Sequence, residues 1–128
     1  AVKEWIRVLK PGGTLLLVLP DKRFTFDRNR PVTKFDHIKW DFDNNTTEYD
    51  LTHLDEILDL HDYSLTPEIK DRAFYHERSL RNFENRCLHH HVFDSGLLRQ
   101  VFDFFNIEFV HENFAPPYHL VMIGRRRT

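Results

Sequence analysis

Thr33, His37 and Asp41 recur every four residues, a spacing that sets all three on one face of a helix. An imidazole titrates near neutrality, so His37 is a candidate general base that takes a proton from an acceptor hydroxyl or amine, with Asp41 orienting the ring. The plainer alternative is a capping threonine and an exposed His–Asp pair. A second set, Asp21, Lys22, Arg23 and Asp27, is followed by Arg30. These residues read either as polar contacts for a bound substrate or as a loop of mutually paired charges. The third set is His89-His90-His91, which invites a metal, with His37, His53 and Asp21 as further imidazole and carboxylate ligands. Adjacent residues of an extended segment point to opposite faces, so at most His89 and His91 share one. No Glu-x-x-His or His-Glu-x-x-His pattern accompanies them. No metal ligands are therefore assigned.

Other reactive side chains offer less. Phe24, Phe26 and Phe35 sit at alternating or helical spacing and read as core rather than as a platform for a ring-bearing acceptor. Phe102, Phe104, Phe105 and Phe109 are assigned to core. Cys87 is the single cysteine, so it has no disulfide partner within the chain, and no neighbour marks it as a nucleophile.

Composition narrows the class. Hydrophobic residues make up 41% of the 128 positions, with twelve phenylalanines, a load that disordered chains do not carry. Eighteen basic against twenty acidic residues leave a net charge of −2, which argues against a general nucleic-acid or membrane-surface binder. Arg125-Arg126-Arg127 is the only dense basic run and reads as a solvated terminus. No apolar run approaches a membrane span, and a cytoplasmic location is expected.

The elements that must position these residues follow from periodicity. Val2, Trp5, Ile6 and Leu9 share a helical face over Ala1 to Lys10, so Ala1, which is not an initiator methionine, falls inside an element. Pro11-Gly12-Gly13 ends that helix. Thr14 to Leu19 is a continuously apolar run closed by Pro20-Asp21, which predicts a strand buried on both faces, as in a helix-covered parallel sheet. Residues 22–91 read as a mostly helical insertion. Thr33 with Asp36, and Thr47 with Asp50, have capping-box spacing, and Thr66-Pro67 predicts a further helix start. In residues 92–128, Asp94 or Ser95 caps a helix whose Leu97, Leu98, Val101, Phe102 and Phe105 face inward. Two strands then follow, Ile107–Glu112 and Tyr118–Gly124.

The run from Glu4 to Asp21, with Arg7-Val8-Leu9-Lys10-Pro11-Gly12-Gly13 before the apolar strand, resembles the class I S-adenosylmethionine-dependent methyltransferases, of the type 11-like group. It is similar to the segment running from the helix before the fifth strand into that strand. The closing helix, strand, connection and strand ending in Gly124-Arg125-Arg126 resemble the family's last elements, whose final two strands form an antiparallel hairpin. Leu19 to Asp27, with Arg30-Pro31-Val32-Thr33 and His37, is similar to a subgroup without a defined acceptor. The resemblance covers residues 1–21 and 92–127. It implies an α/β fold, the C-terminal part of a Rossmann-like sheet in one incomplete domain. It further implies a small-molecule or glycan acceptor met by Asp21, Arg23, Asp27, Arg30, His89 and His91.

The departure lies at the methyl donor. The family binds it at a Gly-rich turn, where missing side chains let the backbone approach the ligand. The glycines here are Gly12, Gly13, Gly96 and Gly124, so no Gly-x-Gly exists. S-adenosylmethionine is thus expected as cofactor of a longer protein, with none for this chain, which is expected to be inactive alone. Without its neighbour, the Thr14–Leu19 strand is an apolar edge, and homo-oligomerisation through it is expected. Two other classes stand beside this reading: a non-enzymatic module pairing through that strand, and a metal hydrolase using the histidines.

Overall fold

A computed structural model describes residues 1–128. In chain order the elements are α1 (Val2–Val8), β1 (Thr14–Pro20), α2 (Phe35–Asp43), α3 (Leu54–Leu60), α4 (Arg72–Ser79), α5 (Asn82–Asn85), α6 (Ser95–Phe104), β2 (Ile107–Ala115) and β3 (His119–Arg126). Single 3-10 turns lie at Lys22–Phe24 and Tyr63–Leu65. The chain forms two compact units, one from Ala1–Asp21 with Phe93–Thr128, the other from Lys22–Val92.

The first unit is mixed α/β. Its sheet has the order β1-β3-β2, and both pairings are antiparallel. This corrects the parallel, doubly covered strand expected from Thr14–Leu19. Leu15 and Leu17 are buried, but Leu16 and Val18 are 58% and 50% exposed. The reason is the placement of the helical residues. Val2, Ile6 and Leu9 of the α1 segment, and Leu98 and Phe102 of α6, pack on the Leu15, Leu17, Leu120 and Met122 face only.

Two glycines make this packing work. Gly12 takes φ +76°, a left-handed turn that costs an L side chain, and its N–H donates to the Arg126 carbonyl at 2.9 Å. Gly124 lies beneath α6, where a Cβ would come within 2.5 Å of Ile107 Cγ2 and 2.7 Å of Phe102 Cε2. Asp94 caps α6, accepting from Leu97 N–H at 2.8 Å, and Asn106 leaves the helix at φ +54°. Two expectations change here. Arg126 is not a loose terminal cation: it pairs within β3, and its Nη1 donates to the carbonyls of Ile6 (3.0 Å) and Leu9, capping the end of α1. Phe104, assigned to the core, is 44% exposed, while Phe102 is fully enclosed.

The second unit is helical. Its core is Leu54, Ile57, Leu58, Ile69, Tyr75 and Leu88. Helix starts differ from the expected ones because the threonine and aspartate side chains are used elsewhere. Thr33 does not cap α2; its Oγ1 accepts from Val92 N–H at 2.9 Å, and its own N–H donates to Val92 O at 3.0 Å. Asp50 bonds Thr52 rather than opening a helix, and α3 starts at Leu54. Thr66 binds His61, so α4 starts later, with Asp71 as its cap.

Candidate functional site

Arg30 organises the second unit. Its side chain is 1% exposed. Nη1 donates to Asp27 Oδ1 (2.8 Å) and to the His89 carbonyl (2.7 Å), Nη2 to the His90 carbonyl (3.2 Å), and Nε to Glu56 Oε1 (3.0 Å). Asp27 spends its other oxygen on His89 Nδ1, at 2.7 Å. Burial opposes ionisation of Asp27, but the hydrogen bonds and charges of His89 and Arg30 outweigh it, and its pKa lies below the usual value. Asp27, Arg30 and His89, three residues read as substrate contacts, are therefore bonded to one another. Their effect is to fix the backbone of residues 89–90.

That backbone continues into His91, which the Thr33–Val92 bonds bring alongside α2. His91 Nε2 donates to Asp41 Oδ2 at 2.7 Å, and His37 Nε2 lies 3.3 Å from the same oxygen. His53, the residue before α3, places its Nε2 2.8 Å from His37 Nε2. One ligand atom from each of His37, Asp41, His53 and His91 lies within 4.8 Å of the others. Thr46 donates to Asp41 Oδ1 at 3.0 Å and fixes the carboxylate plane. Asp41 is buried, and the three rings are half-buried. Burial pushes the His91 imidazole below its ordinary pKa, with Asp41 opposing, and burial does the same at His90. Both trends favour the neutral ring.

The remaining sequence-derived residues fall elsewhere. Asp21 is buried in the first unit, its N–H donating to Tyr118 O at 2.7 Å. Arg23 is exposed just past β1, its guanidinium 5.4 Å from the Phe24 ring centroid. Phe24, expected in the core, is 49% exposed. His89 and His91 do not converge: one meets Asp27, the other Asp41. His90 meets Asn82 Nδ2 at 3.2 Å. The imidazole nearest the Asp41 carboxylate is that of His91, and His37 Nε2 faces a second imidazole. The geometry suits His37 as a ligand better than as a base.

Sequence reasoning passed over Asn82, Thr46 and Glu56. Asn82 is buried and ties Glu48 O, Leu88 N–H and His90 together. Nothing in its sequence neighbourhood marks it. Near it, Glu48, Tyr49, Leu80, Arg81 and Phe83 line a cleft of about 230 Å³, in which the Tyr49 and Phe83 rings stack at 4.6 Å. Among known proteins, no family model matches this chain, and no curated protein or solved structure matches it either.

Proposed function

We propose that the chain is the acceptor-side portion of an S-adenosylmethionine-dependent methyltransferase acting on a small molecule or glycan. The observation that carries this reading is the organisation of the first unit. A helix, a Pro-Gly-Gly turn and an apolar strand lead directly into the second unit, and the chain returns through α6 to an antiparallel β2–β3 hairpin. In open α/β sheets, ligands bind beyond the carboxyl ends of the strands. In the chain, the second unit follows the carboxyl end of β1, directly after Asp21. The Tyr49–Phe83 cleft supports an acceptor with an apolar face, such as a sugar ring, while Glu48 and Arg81 supply polar contacts.

The residues present do not fit the donor. Gly12 and Gly13 are bonded to Arg126, and Gly124 is covered by Phe102 and Ile107. Gly96 lies in the first turn of α6. None is placed in a Gly-rich turn after a strand. No step involving the donor is assigned to this chain, whose part is to hold and orient an acceptor.

The test has two parts. The reading frame preceding Ala1 is expected to encode an apolar strand followed by a Gly-rich turn, and the longer product to transfer radiolabelled methyl groups. A frame without that turn overturns the proposal. Calorimetric titration of S-adenosylmethionine into the 128-residue chain is expected to show no binding; a micromolar constant overturns the division of labour.

One specific observation favours a second reading, pairing through β1. That strand bonds only to β3, lies at one side of the sheet, and exposes Leu16 and Val18. Such an edge is a template for another chain.

A further inference from the structure

We infer that His37, Asp41, His53 and His91 form a binding site for a divalent transition-metal ion of the zinc class, and that the ion's role is to hold α2 in place. The inference is separate from the methyltransferase proposal and survives its failure.

Donor chemistry selects the ion. Three imidazoles and one carboxylate suit zinc and its neighbours, whereas calcium and magnesium require oxygen-rich shells. Zinc at ~2.0–2.1 Å from each of four tetrahedral ligands sets those ligands about 3.3 Å apart. The contacts here are 2.7 Å (His91–Asp41), 2.8 Å (His37–His53) and 3.3 Å (His37–Asp41). The short pairs must open and the wider ones, which reach 4.8 Å, must close, movements within the range of side-chain rotation, and the cation then replaces the protons now shared between Nε2 atoms and the carboxylate. Four protein ligands complete a tetrahedral shell, which is the arrangement of a structural site; a hydrolytic zinc keeps a position for water.

The need for such an ion is visible in α2. The core of the second unit contains no side chain from this helix. Its only buried residue is Asp41, while Trp40 and Phe42 are 59% and 41% exposed. An amphipathic helix ordinarily docks by burying an apolar stripe. Here the buried position is a carboxylate facing imidazoles from two distant segments. One ion would link α2, the turn before α3 and the 89–92 segment. Thr46, on Asp41 Oδ1, supplies the outer-shell hydrogen bond that fixes a ligating carboxylate.

The test uses tag-free protein, stripped with a chelator and titrated with Zn²⁺ in a calorimeter, then with Co²⁺ in a visible spectrometer. One equivalent is expected to bind, with tetrahedral Co²⁺ absorption and a rise in melting temperature. His53→Ala and Asp41→Asn are each expected to weaken binding by at least ~100-fold, while His111→Ala on β2 leaves it unchanged. Equal affinity in wild type and both ligand variants overturns the site, as does wild-type affinity no tighter than millimolar. Because the variants can unfold, imidazole ¹⁵N resonances of the wild type provide a second measurement. Zn²⁺ is expected to move those of His37, His53 and His91 and to leave those of His76 and His111 in place. Binding that leaves the first three unmoved overturns the inference.

Discussion

Arg30 Nη1 lies 2.8 Å from Asp27 Oδ1, and the two side chains are 1% and 6% exposed. A charge pair so enclosed is held by its hydrogen bonds, and breaking it leaves the surviving ion without compensation. Arg30→Met is therefore expected to destabilise the second unit by about 3–5 kcal/mol, read from urea denaturation. Arg30→Lys is expected to rescue little, because an ammonium cannot reach Asp27, Glu56 and two carbonyls at once. A loss below ~1 kcal/mol for either variant would show the pair to be incidental.

Asp27 sets an acid limit. Its folded pKa lies below the ordinary 3.8, so its ionised form favours the fold. That contribution is complete above 3.8 and is lost as pH falls through the lower folded value. Asp27→Asn is expected to flatten the stability profile in this acid window while lowering stability at neutral pH. Unchanged acid sensitivity of the variant would count against the assignment.

His61 acts in a different range. Burial lowers its pKa from 6.5, against the opposing charges of Asp27 and Asp62. Nε2 contacts Thr66 Oγ1 at 2.7 Å, and Nδ1 is buried without a hydrogen-bond partner. The rings of Phe26, Tyr63 and Tyr75 surround it at 4.7–4.8 Å. The folded state thus prefers the neutral ring, and the unfolded chain takes up the proton first. Stability from His61 is full above 6.5 and declines as pH drops from there through the folded value. His61→Gln is expected to reduce the slope just below pH 6.5, to which His90 and His91 also contribute, measured by melting temperature across a buffer series.

Gly124 has no room for a methyl group. Gly124→Ala is expected to push α6 from the sheet and to cost about 1–3 kcal/mol, the usual range for overpacking. Thermal denaturation measures it, and Gly96→Ala, where the nearest atom is an Asp94 side-chain oxygen at 3.4 Å, serves as the tolerant control.

The exposed side of β1 allows a direct test of the pairing proposal. Light scattering at rising concentration is expected to show dimers or larger species, and Leu16→Lys with Val18→Lys to abolish them while changing stability by no more than ~0.5 kcal/mol per site. A monomer at all concentrations would rule out pairing through this strand.

Much of the first unit was legible because its signals are local. The Pro11-Gly12-Gly13 turn, the Asp94 cap and the Ile107 strand start each depend on a few neighbouring residues, and each appears in the structure. The exposure of Leu16 and Val18 was not legible, since an apolar run carries no record of how many faces will be covered. The His37–Asp41 pair follows from its spacing of four. His53 and His91 were named as chemically capable, but the arrival of His91 at that pair depends on Thr33 binding Val92 and on Arg30 gripping the backbone of His89 and His90. Those contacts join residues about sixty positions apart, beyond the reach of periodicity. For the same reason Thr33 looked like a helix cap: the hydroxyl suits either role, and only the tertiary partner decides.

The sheet pairs β1 with β3, and the whole second unit lies between them in the chain. During synthesis β1 leaves the ribosome ahead of β3 and waits without that partner until β3 emerges. The inserted helices have a hydrophobic core of their own, around Ile57, Leu58 and Tyr75, so the guest can mature before its host. A ribosome stalled ahead of His119 therefore displays β1 without its β3 partner, and the emergence of β3 is the step that closes the sheet.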